Sequence, residues 1–187
     1  MRVVSGKFRG RRLNAVPGMA TRPTTDKVKE SLFNIIGPYF DGGQSLDLYG
    51  GSGGLSIEAV SRGVEHAFIV DRQYAAIKII KQNVGFTHCE QQFTVLKQDA
   101  HKALHIFAEQ EKQFDFVFLD PPYAKQQIVK DIQMMVDQKL LKPDALVVCE
   151  TNQEAALPTD LTGFQLFRQH EYGITVLTIY QYQGEHE

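Results

Sequence analysis

The sequence predicts an α/β fold: a mostly parallel seven-stranded sheet with helices on both faces, a C-terminal antiparallel hairpin and a small N-terminal β-hairpin. Three observations predict it. From residue 45 onward, short β-rich apolar runs alternate with segments of helical period over about five units, and such alternation implies right-handed crossovers between parallel strands. Glycines at 50, 51, 53, 54, 63 and 85 fall at the junctions between these segments. Two final apolar runs, split at Gly173, read as an antiparallel pair.

Taken in order, residues 2–6 and 12–16 form the arms of the first hairpin around a basic, glycine-containing turn, and Pro17-Gly18 ends it. A helix follows residues 22–26, capped by Thr25 or Asp26, with Val28, Leu32, Ile35 and Ile36 as its apolar face. Gly37-Pro38 stops it. Strands are expected at 45–49, 66–71, 93–98, 114–119 and 145–149. The helices between them are centred on Leu55, Ile57, Ala59 and Val60, on Ala75, Ile77, Ile79 and Ile80, on Ala103, Leu104, Ile106 and Phe107, and on residues 126–138. The closing pair spans 164–172 and 174–182. At 187 residues the chain suits one domain, 1–187, with residues 1–20 as a basic hairpin extension and 21–182 as the core.

A composition of 43% hydrophobic and 22% charged residues is that of a soluble globular protein. No apolar run reaches the roughly 20 residues of a membrane span, and the first residues lack the apolar block of a signal peptide. Cys89 and Cys149 form no CxxC pair, so a reduced, cytoplasmic protein is expected. The formal net charge of −2 conceals an asymmetry: residues 1–30 carry eight Lys/Arg against Asp26 and Glu30, a net of +6, leaving −8 for the rest. A basic arm on an acidic body points to a phosphate-rich partner. Phe8 stands among Lys7, Arg9, Arg11 and Arg12, which suits nucleic acid better than a plain solvated face.

The chemistry gathers around Asp120-Pro121-Pro122-Tyr123, which closes the aromatic-rich strand at 114–119. Two prolines end that strand by removing donors and fixing φ. The first also biases Asp120 toward an extended conformation, so its carboxylate stands at the strand's C-terminal edge, where open parallel sheets bind ligands. A carboxylate, proline carbonyls and an aromatic face suit a flat base carrying an exocyclic amino group. An ordinary surface turn is the alternative.

Upstream, residues 50–54 follow the first strand and open a helix. Glycines there let the backbone approach a ligand, and the helix N-terminus offers N–H groups. A dinucleotide loop is the first alternative, but its third glycine falls on Ser56. No Gly-Lys-Ser/Thr ending supports a P-loop. Asp71 and Asp99 end the next two strands, Asp71 lying 20 residues past Gly51, a spacing suited to ribose hydroxyls. Asp99 is placed to accept from an adenine amino group, and Asp47 to bond the loop or reach an amine. Helix capping is the alternative for each, but three carboxylates in register favour a nucleoside cofactor. His101 and His105 lie four apart, yet Lys102 breaks the His-Glu-x-x-His pattern, so no metal is expected.

Asp47-Leu48-Tyr49-Gly50-Gly51-Ser52-Gly53 resembles the D-x-x-x-G-x-G loop of class I S-adenosylmethionine-dependent methyltransferases, whose fold is Rossmann-like. Asp71 and Asp99 fall on that class's ribose and adenine positions. Asp120-Pro121-Pro122-Tyr123 resembles the Asp/Asn/Ser-Pro-Pro-Tyr/Phe signature of enzymes that methylate exocyclic amino nitrogens of bases. Residues 3–13 and 22–34 resemble the V-x-S-G-x-x-R-G-R-x-L segment and the R-P-T-T-D-x-V-R-E-x-L-F-N helix of the bacterial family that methylates guanine N2 in small-subunit (16S) ribosomal RNA. The resemblance spans roughly residues 2–182. It departs from the family at Gly50, where alanine is common, at Lys29, where arginine is common, and at Gly54 and Ser56, which replace a more usual Ala and Gly.

The resemblance implies S-adenosyl-L-methionine contacts at Asp47, Gly51, Ser52, Gly53, Asp71, Arg72, Asp99 and Ala100, with Thr25 in a segment over the methionine end. It implies catalytic roles for Asp120, Pro121, Pro122 and Tyr123, and RNA contacts at Lys7, Arg9, Arg11, Arg12 and Arg22. The partner it implies is ribosomal RNA or a small-subunit assembly particle; separately, a monomer is expected. Two alternatives stay open: an adenine-N6 methyltransferase on RNA or DNA, and a non-catalytic nucleotide- or RNA-binding module. A small-molecule methyltransferase would leave residues 1–14 unexplained.

Overall fold

The structure, a computed structural model, describes residues 1–18 and 25–184. Its elements are α1 (Asp26–Ile36), β1 (Gln44–Asp47), α2 (Gly54–Ser61), β2 (His66–Asp71), α3 (Tyr74–Phe86), β3 (Phe93–Lys97), α4 (Ala100–Glu109), β4 (Phe114–Leu119), α5 (Ile128–Asp137), β5 (Leu141–Asn152), β6 (Phe164–Tyr172) and β7 (Thr175–Tyr182). The strands form one seven-stranded sheet in the order β3-β2-β1-β4-β5-β7-β6, the mixed α/β architecture expected. None of the described helices is long and apolar enough to cross a membrane. By its contacts the chain divides into two compact units, Met1–Ala100 and His101–Glu187.

In the first unit, β1, β2 and β3 run parallel, with Asp47 opposite Ile69 and Asp71 opposite Lys97. The helix α2 is buried along its whole length, because its apolar positions pack against the sheet while residues 1–13 cover its other side. Val3, Phe8 and Leu13 of that arm join Ile57, Val60, Ile69, Ile77 and Ile80 in one core cluster. Phe8 is only 5% exposed. The aromatic that suggested a nucleic-acid platform is therefore a peg in the core, whose burial contributes about 1.5–3 kcal/mol.

The expected hairpin contracts to a single antiparallel bridge, Arg2 to Arg12. The reason lies in where the arm's backbone donors go. Val4 and Ser5 N–H groups bond the Glu58 carboxylate, and Lys7 and Phe8 N–H groups bond Ser61. Those donors are spent on α2 rather than on a second strand.

In the second unit, β4 and β5 are parallel, and β5–β7 and β7–β6 are antiparallel. The strand β4 occupies 114–119 as expected. By contrast β5 runs past Cys149 to Asn152, because β7 continues to pair with it through Glu150, Thr151 and Asn152. Phe107 of α4 meets Phe114 edge-on with ring centroids 5.6 Å apart, fixing that helix against the start of β4.

Candidate active site

The first unit builds a ligand cradle from the glycine loop. Gly50 N–H bonds the Val70 carbonyl at 2.7 Å, and Gly51 N–H bonds Asp71 Oδ2 at 3.0 Å. Gly51 and Gly53 have φ of 59° and 83°, the left-handed region that favours glycine. A Cβ added at Gly51 would meet nothing within 4 Å, so a ligand can approach the loop there. Tyr49 N–H bonds Asp47 Oδ1 at 3.3 Å, and Gln73 N–H bonds Asp71 Oδ1 at 2.9 Å. Both carboxylates are thus oriented by short-range backbone bonds. The open approach at Gly51 and the two oriented carboxylates fit a nucleoside cofactor.

Other expected cofactor residues take these places. Ser52 offers its carbonyl to Asn83 Nδ2 at 2.8 Å. Arg72 is exposed beside Asp71, and Asp99 is exposed just before Ala100, the first residue of α4. Thr25 caps α1, its hydroxyl accepting Val28 N–H at 3.2 Å.

The basic arm is held over α2 by a buried ionic cluster that includes Lys29 of the family's helix motif. Glu58 and Lys29 are fully buried and Arg62 is 3% exposed. Glu58 lies 3.3 Å from Lys29 Nζ and 2.8 Å from Arg62 Nε. Lys29 Nζ also donates to the Arg2 carbonyl, and Arg62 donates to Pro38 O at 3.2 Å. Burial lowers the Lys29 pKa, against the pull of the Glu58 carboxylate. Asn83, also fully buried, accepts Asn14 N–H at 2.8 Å and donates to Asn14 O at 3.0 Å and to Ser52 O. It therefore ties the arm to the glycine loop.

Arg9, Arg11 and Arg12 are exposed on the arm, while Lys7 Nζ is pinned to the side chain of Gln92. Arg22 lies outside the described residues.

In the second unit, Asp120-Pro121-Pro122-Tyr123 leaves the C-terminal end of β4. Pro121 is buried, Asp120 half-buried and Tyr123 37% exposed. The Pro122 carbonyl accepts Lys125 N–H at 3.0 Å, closing a tight turn. The Asp120 carboxylate and the Pro121 carbonyl precede it in the chain at the same corner. His101, half of the discarded histidine pair, meets the buried Asp131 of α5 at 2.8 Å.

The glycine loop after β1, the oriented acid at the end of β2 and the seven-stranded sheet give the chain a Rossmann-like architecture suited to a nucleoside cofactor, and the proteins it is similar to place it among the methyltransferases. A family model described as "Conserved hypothetical protein 95" matches residues 1–181. The chain is 46% identical to YlbH of Bacillus subtilis (strain 168), over 98% of this chain and 100% of that one. It is 32% identical to "Ribosomal RNA small subunit methyltransferase D" of Haemophilus influenzae, over 97% of this chain and 93% of that protein. A solved conserved hypothetical protein of Streptococcus pyogenes superposes with a TM-score of 0.80 at 43% identity, covering 86% of this chain and 98% of its own. The chain belongs to the ribosomal RNA small subunit methyltransferase D family.

Proposed function

We propose that this protein transfers a methyl group from S-adenosyl-L-methionine to the exocyclic N2 of a guanine in small-subunit ribosomal RNA. One observation carries the choice of an amino nitrogen: β4 ends in Asp120-Pro121-Pro122-Tyr123, which sets a carboxylate and a proline carbonyl just before the Pro122 carbonyl that is tied to Lys125. The family relatives named for small-subunit rRNA support the substrate. The protein acts as a cytoplasmic monomer on ribosomal RNA or an assembling small subunit. The basic extension of residues 1–20 is proposed to serve a catalytic core spanning 21–182.

The cofactor, when bound, supplies a methyl group that is already electrophilic; the protein's task is to prepare the nitrogen. The guanine N2 lone pair is delocalised into the ring. Asp120 and the Pro121 carbonyl each accept one N–H, which lets the nitrogen pyramidalise and aim its lone pair. Positioning of this kind supplies much of the acceleration. Tyr123 stacks on the base, contributing about 1–3 kcal/mol, after the base has left its own stack. Asp120 or water takes the proton that the new amine releases. Asp47, Asp71, Asp99, Arg72, Ala100, Thr25 and residues 51–53 hold the cofactor, and Arg9, Arg11, Arg12, Lys7 and Arg22 meet the phosphates.

The test is to incubate the protein with small-subunit rRNA and methyl-labelled cofactor, then digest the RNA to nucleosides and map the labelled position. Label in N2-methylguanosine is expected. Label in N6-methyladenosine would overturn the guanine assignment, and no label would overturn catalysis. Asp120→Ala should slow transfer at least about tenfold while cofactor affinity stays unchanged; near-normal turnover would remove Asp120 from its role.

A further inference from the structure

A second carboxylate stands beside the acceptor corner. The parallel strands β4 and β5 are last paired at Leu119 and Cys149. One residue further along stand Asp120 and Glu150. Neighbouring strands lie about 4.8 Å apart, and residues at one level of the pleat share a face of the sheet. Continued one step, that register sets the two acids at one level of the C-terminal edge, where the proline turn begins. Glu150 is only 5% exposed. Its backbone is fixed, because β7 pairs with it through Leu177 and with the next residue through Val176. Burying a carboxylate is costly, and the fold places this one at the edge of a parallel sheet, where ligands bind.

We propose that Glu150 selects guanine by accepting the ring N1–H of the target base. The proposal rests on the reading of this corner as a guanine-N2 methylation site. Guanine presents N1–H and the N2 amino hydrogens side by side along one edge. Two adjacent carboxylates match those adjacent donors, with Asp120 on the amino group and Glu150 on the ring nitrogen. A carboxylate has about four lone-pair directions, so Glu150 takes N1–H in addition to any protein partner. Adenine carries a bare N1 beside its amino group. Its lone pair would face the Glu150 oxygens, a repulsive contact with no donor to offset it. A proline corner that suits either base thus becomes selective through the strand next to it.

The test isolates that one hydrogen. A small-subunit rRNA transcript is built by splinted ligation with either guanine or 2-aminopurine at the position mapped by the labelling experiment. 2-Aminopurine keeps the amino group to be methylated but has no N1–H. Wild-type protein should show kcat/KM for the 2-aminopurine RNA lower by at least about tenfold, as expected for losing a hydrogen bond to a charged group. Glu150→Gln, whose amide can donate to a bare N1, should narrow that ratio to within about threefold. Equal rates on the two RNAs with wild-type protein would overturn the proposal, as would a Glu150→Gln protein that keeps the wild-type ratio. If the variant fails to fold, the wild-type comparison decides alone. No methylation of the guanine RNA would instead sink the underlying function, and the proposal with it.

Discussion

Glu58→Gln tests how the basic arm is held, and its cost can be worked from the contacts. The carboxylate, fully buried, is shared by four donors: Val4 N–H at 2.8 Å, Ser5 N–H at 3.1 Å, Lys29 Nζ at 3.3 Å and Arg62 Nε at 2.8 Å. Glutamine keeps the shape but has one acceptor oxygen, and its amide nitrogen would face donors. Lys29 and Arg62 would then sit buried around a neutral side chain. Breaking a buried charged group in this way costs roughly 3–5 kcal/mol. Lys29 can shed its proton, which its lowered pKa makes easier, so the lower half of that range is expected. Each kcal/mol moves the melting temperature of a chain this size by about 2–4 °C, which gives a drop of about 6–16 °C. Circular dichroism melts at matched pH and salt measure it, and trypsin should cut faster after Arg9, Arg11 and Arg12. A drop below about 3 °C would show that this charge is not what anchors the arm.

Three further outcomes are expected. Lys29 has a folded-state pKa below its ordinary 10.5 because burial disfavours the ammonium. The unfolded chain therefore binds more protons between the two values, and stability relative to Lys29→Met should rise with pH up to 10.5; denaturant titrations across alkaline pH check the sign. Gly50→Ala would bring a Cβ within 2.5 Å of Ile69 Cγ2 and 3.1 Å of the Val70 carbonyl, an overpacking cost of about 1–3 kcal/mol visible as a lower denaturation midpoint. Ser56→Ala should raise stability by about 1 kcal/mol, because the buried Ser56 Oγ has no hydrogen-bond partner; the same denaturant titration shows it.

The strands at 66–71 and 114–119 were legible because each is a short apolar run bounded by breakers, and local pattern is enough to place such runs. The last residues of β5 were not. Glu150 and Asn152 are residue types depleted in strands, and with Thr151 they extend the strand because β7 pairs with them from about 25 residues downstream. Glu150 carries no sequence signal for the same reason: the apolar run that marks the strand stops one residue short of it. Lys29 sits between Val28 and Leu32 on α1, where a lysine reads as solvated. Its burial follows from Glu58, another helix's residue, and no spacing rule links the two. The i, i+4 pair Glu58 and Arg62 was visible in principle, but such pairs usually mark an exposed face. In the candidate site, the loop glycines and Asp71 were legible because their spacing is set by a local backbone requirement. Asn83 carries no motif, since its role is to satisfy carbonyls contributed by two distant segments.

The departures from the family pattern carry different physical weight. At Gly54 an added Cβ would come within 2.7 Å of Met1 Sδ, but the far end of a methionine side chain moves easily, so an alanine there is cheap. At Gly50 the obstructing groups are the branched side chain of a fully buried Ile69 and a strand carbonyl already bonded to Gly50 N–H. Neither can give way without shifting β2, and β2 ends in Asp71, which holds Gly51 N–H. An alanine at Gly50 would therefore push on the carboxylate that orients the cradle. Glycine at 50 and isoleucine at 69 act as a matched pair, and relatives with alanine at the first position should carry more room at the second.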